Sequence, residues 1–61
     1  MSKELQQKVI EILKTEKALA PLFIAKKLKI TVLDVIKVLE DLESKGIVEK
    51  KGKMFKLKMI S

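Results

Sequence analysis

The apolar residues of this chain change their spacing at Gly46, and that change limits what the chain can fold into. Before Gly46 they recur at three- and four-residue intervals: Leu5, Val9, Ile12 and Leu13, then Val35, Val38, Leu39 and Leu42. At about 100° per residue, such sets fall on one face of a helix. After Gly46 they alternate, with Phe55, Leu57 and Met59 interleaved with Lys56 and Lys58. A period of two belongs to a strand with one buried and one solvated face. The expected class is therefore α+β, with helices first and a β-hairpin last.

Local signals place the boundaries. Ser2 suits the N-cap of a first helix over about residues 3–16, in which Ile10 alone among the apolar residues points well off the stripe. The segment "KALAP" interrupts it. Ala20 precedes proline, which biases it to the extended region, and Pro21 suits a helix's first turn, where a missing N–H costs nothing. A second helix over 21–28 follows, with Ala25 and Leu28 inward and Leu22 and Ile24 partly buried. Thr31, followed three residues later by Asp34, reads as a capping box for a third helix over 32–45. Gly46 is the left-handed residue expected just past its end, and Lys45 complements the negative helix terminus. "IVEK" and "MFKLKM" form a hairpin over about 47–59, closed at Lys51-Gly52-Lys53. A hairpin alone is marginal, so it has to pack on the helices, and "ALA" (18–20) is placed to add a third short strand. No repeat, linker or low-complexity tract appears, so residues 1–61 are read as one domain.

A core of this size supplies no more than about 3–5 kcal/mol. The chain has no cysteine and no histidine. Thiolate metal sites, disulfides and histidine-assisted nucleophiles are therefore not expected, and neither is an enzyme, a cofactor or a small-molecule substrate. The longest uninterrupted apolar run is 18–25, too short for a membrane span. "MSKELQQKV" is too polar for a signal peptide, and the expected location is the cytoplasm.

Fourteen lysines face eight acids, for a net charge of +6. A balance this basic points to an anionic partner, nucleic acid first. The lysines cluster. Lys26, Lys27 and Lys29 stand in 18–30 with no acid, and Lys50, Lys51, Lys53, Lys56 and Lys58 stand in 46–61 against Glu49 alone. Helix 3 is different: over 31–45 only Lys37 and Lys45 face Asp34, Glu40, Asp41 and Glu43. Arginine is absent, and with it the planar bidentate contact to guanine.

The order helix, short strand, helix, turn, helix, hairpin resembles the winged helix-turn-helix domain over about residues 5–59. The stretches that carry the likeness are "IAKKLKIT", "VLDVIKVLEDLESKGIVEK" and the basic hairpin. The likeness is to small archaeal or bacterial repressors of that family. It implies that the start and outer face of helix 3 meet base edges in double-stranded DNA: Thr31, Val32, Leu33, Asp34 and Lys37. It also implies that Lys26, Lys27, Lys29, Lys50, Lys51 and Lys53 hold phosphates. Leu33 or Thr31 is then placed to touch a thymine methyl. Helix 3 departs from the family's polar and basic surface, because its outward face carries Lys37 against Asp34, Glu40 and Asp41. One module makes few contacts, so a homodimer through Ile10, Met59 or Ile60 is expected to raise affinity. Winged helices also serve as protein-docking modules. The alternative expectation is accordingly a protein–protein interaction module in a larger assembly, docking through the acidic, leucine-bearing helix 3.

Overall fold

Proline and threonine open the second and third helices, and each does so through backbone held in the extended region. The computed structural model describes residues 3–58. Helix α1 spans Lys3–Thr15, α2 spans Pro21–Leu28 and α3 spans Val32–Ser44; strands β1 (Val48–Lys51) and β2 (Met54–Leu57) follow. Three helices and a two-stranded antiparallel hairpin make an α+β arrangement compatible with a winged helix-turn-helix. Each helix lies within one residue of its expected span. Ser2, Met59 and Ile60 lie outside the described residues.

Thr31 caps α3, its Oγ1 accepting from the Asp34 N–H at 3.2 Å. The return bond of the expected box, from Thr31 N–H to the Asp34 carboxylate, does not form among the described residues. Asp34 still sits in the first turn, where the helix dipole favours a carboxylate. At the other end, the Ile47 N–H donates to the Leu42 carbonyl and the Gly46 N–H to the Glu43 carbonyl, both at 2.9 Å. Gly46 has φ +77°, so this is the six-to-one plus five-to-two closure of a Schellman ending. Helix α2 ends similarly, but its left-handed residue is Lys29, at φ +59°, and Ile30 N–H reaches the Ala25 carbonyl at 3.1 Å.

The core is wholly apolar among the described residues. Val9 and Leu13 from α1, Ile24 and Ala25 from α2, and Val35, Val38, Leu39 and Leu42 from α3 close it with Val48 and Phe55 from the hairpin. Leu5, Ile10, Ile12 and Val32 pack at its margin, so Ile10 already has a neighbour in its own chain. Helix α2 turns Ala25 and Leu28 inward as expected, but Ile24 is fully buried and Leu22 is 49% exposed, where partial burial is expected of both. Eight residues hold barely two turns, too few for spacing alone to fix which face points inward.

The hairpin register pairs Val48 with Leu57, Glu49 with Lys56, Lys50 with Phe55 and Lys51 with Met54. The loop is thus the two residues Gly52 and Lys53. Gly52 has φ +62° and Lys53 is not in the positive region, the II′ pattern that matches the twist of paired strands. The expected third strand is a single bridge. Leu19 N–H donates to the Phe55 carbonyl at 3.0 Å, and Phe55 N–H donates to the Leu19 carbonyl at 2.8 Å. That bridge and the burial of Phe55 fix the hairpin to the helices.

Candidate nucleic-acid interface

Two lysine-bearing regions border α3. One is the outer side of α2 with the turn that follows; the other is the cleft between α3 and the hairpin.

On the first, Lys26, Lys27 and Lys29 are all exposed. Lys27 leans toward the end of α1, with its Nζ 3.9 Å from a Glu16 carboxylate oxygen. Lys26 and Lys29 have no carboxylate within ion-pair distance among the described residues, and the same holds for Lys37 on α3. Beyond the turn, Thr31 and Asp34 are exposed, and Leu33 projects with 62% of its surface accessible. Val32 is different: it is half-buried against the core, so its side chain packs inward.

The second region is a cleft of about 300 Å³, lined by Pro21, Ile36, Phe55, Glu40, Glu43, Lys50, Gly52 and Lys53. Its lining follows from the register. Successive strand residues face opposite sides, so Lys50 shares a face with buried Val48 and Phe55, and Lys51 shares the outer face with Glu49 and Met54. The Lys50 ammonium lies 6.0 Å from the Phe55 ring centroid, at the limit for a cation–π contact. Lys53, in the loop, also lines the cleft. The three expected hairpin lysines therefore divide, with Lys50 and Lys53 facing α3 and Lys51 facing away. On that outer face Lys56 lies 4.0 Å from Glu49.

The four acids of α3 have different surroundings. Asp34 stands at the helix start. Asp41 is half-buried and structural: its Oδ2 accepts from Gln6 Nε2 at 2.5 Å and lies 3.1 Å from Lys45 Nζ, which ties α3 to α1. Glu40 and Glu43 remain, one turn apart and exposed, on the cleft wall opposite Lys50 and Lys53. Sequence reasoning missed this pairing. Helical spacing puts Glu40 and Glu43 near one another, but nothing local says that the hairpin faces them.

A second hollow, of about 460 Å³, lies between the end of α1 and β2, with Leu13 and Leu57 as floor and Lys14, Lys17 and Lys56 around it. Lys14 is held by Glu11 at 3.4 Å. Large apolar side chains also reach solvent at Leu22, Phe23 and Met54, in addition to Leu33. No cluster of metal-ligating side chains occurs among the described residues, and no helix is long and apolar enough to cross a membrane. Comparison with protein-family models, with curated proteins and with solved structures returned no match.

Proposed function

We propose that this chain is a double-stranded DNA-binding protein of the winged helix-turn-helix type, acting as a small transcriptional regulator or as a DNA binder of weak sequence specificity. One observation carries the reading. Around the α2–α3 turn, Lys26, Lys29 and Lys37 are exposed and lack a carboxylate partner among the described residues, beside the projecting Leu33. In helix-turn-helix docking the first turns of the second helix enter the major groove while flanking cations meet the backbone. Leu33 and Thr31 then offer apolar contact to a thymine methyl, and Lys37 offers a donor. Lys26 and Lys29, with Lys50, Lys51 and Lys53 of the hairpin, position the protein without reading sequence.

The test is a titration of labelled duplex at several salt concentrations. With about six phosphates engaged, log K falls against log[salt] with a slope near −5. A flat response removes the electrostatic mechanism and the reading with it.

The exposure of Leu22, Phe23, Leu33 and Met54 favours a second reading, a protein-docking module. The double substitution K26E/K29E separates the two. It reverses two of the three unpartnered cations and so weakens duplex binding strongly, whereas it leaves Leu33 and Met54 in place for a protein partner.

A further inference from the structure

The acidic face of α3 calls for its own account. Two of the four acids are explained without a ligand: Asp34 sits at the helix start and Asp41 ties α3 to α1 through Gln6. The Glu40 and Glu43 carboxylates make no side-chain hydrogen bond and no ion pair within 4.0 Å among the described residues, and both residues are exposed. They share one cleft with Lys50 and Lys53. The lining charges of that cleft therefore cancel, although the hairpin as a whole is strongly basic.

We propose that Glu40 and Glu43 act as an electrostatic brake on nucleic-acid binding, holding the hairpin lysines Lys50 and Lys53 in check. The inference rests on the duplex-binding reading above. A phosphate that enters the cleft to meet either ammonium comes between two walls and meets both carboxylates as well. Attraction to the lysines is offset by repulsion from the glutamates that line the same cleft, and added salt weakens both. Lys26 and Lys29, by contrast, have no carboxylate within ion-pair distance among the described residues. Backbone binding is thus lopsided: one side grips any duplex, and the other resists it. Such a protein binds random DNA more weakly than its net charge implies. Low affinity for random DNA is what lets a few base contacts decide where it settles.

The decisive variant is E40Q/E43Q, which keeps side-chain length and helix propensity and removes only charge. The control is E4Q/E11Q on α1, with the same change in net charge at residues that line no part of the cleft. Wild type and both variants are titrated against a random-sequence duplex from about 20 to 200 mM potassium chloride. The expected result is about tenfold tighter binding by E40Q/E43Q at low salt, a salt slope steeper by about one to two, and less than a twofold gain for the control. A gain no larger than the control's overturns the brake and leaves duplex binding standing. Weaker binding by E40Q/E43Q also overturns it, since the carboxylates then make a favourable contact such as acceptance from a cytosine amino group. If none of the three proteins binds duplex at 20 mM salt, the DNA-binding reading fails and the brake fails with it.

Discussion

The α2–α3 turn and the α3–hairpin cleft carry similar lysines in opposite electrostatic settings. Around the turn, Lys26, Lys29 and Lys37 stand without carboxylate partners among the described residues. In the cleft, Lys50 and Lys53 face Glu40 and Glu43. A count of lysines treats the two regions as equals, and the hairpin even as the richer. The fold makes them unequal, because what matters to a polyanion is the field after neighbours are included.

The harshest way to break the comparison is to remove the scaffold that supports both regions. Leu39 is fully buried, and Leu39→Ala is expected to cost about 2–5 kcal/mol, comparable to the entire stability of so small a domain. A urea titration followed by circular dichroism should show a chain largely unfolded without denaturant. The comparison itself is tested by charge reversal. K26E/K29E should weaken duplex binding by about a hundredfold at low salt and flatten the salt slope by about two. K50E/K53E should cost about tenfold or less, because those lysines begin partly neutralised. Equal losses from the two pairs would show that the regions behave alike.

Smaller changes sharpen the picture. Thr31→Ala removes the cap at the start of α3 and should destabilise by about 1 kcal/mol in thermal unfolding. Asp41→Ala should cost about 1 kcal/mol through loss of the Gln6 hydrogen bond, whereas Asp41→Asn keeps an acceptor for Gln6 and loses only the exposed pair with Lys45. Lys29→Gly should raise stability by up to about 1 kcal/mol, since glycine adopts φ +59° without penalty, and it should weaken duplex binding slightly through the lost charge.

These features were not equally legible in the sequence. The change of period at Gly46, the Thr31 cap and the three helix spans depend on residues close in the chain, and local chemistry fixes them. The full burial of Ile24 and the exposure of Leu22, both expected to be partly buried, depend on how a two-turn helix is rolled against its neighbours. The cleft depends on more distant relations still. A hairpin closing at Lys51-Gly52-Lys53 leaves open which lysines share a face, and the two-residue II′ loop settles it. Only the packing of Phe55 then brings Lys50 opposite Glu40 and Glu43, and no short-range pattern encodes that.

The reciprocal bonding of Leu19 and Phe55 anchors the hairpin at the second residue of β2. Only the stub from Lys50 to Met54 projects past that anchor, so it cannot swing as a free flap or curl round a double helix. For a duplex ligand, one copy's footprint is then set by the thickness of the molecule itself. If the proposed duplex binding holds, a preference for longer sites would have to arise from the distance between neighbouring copies.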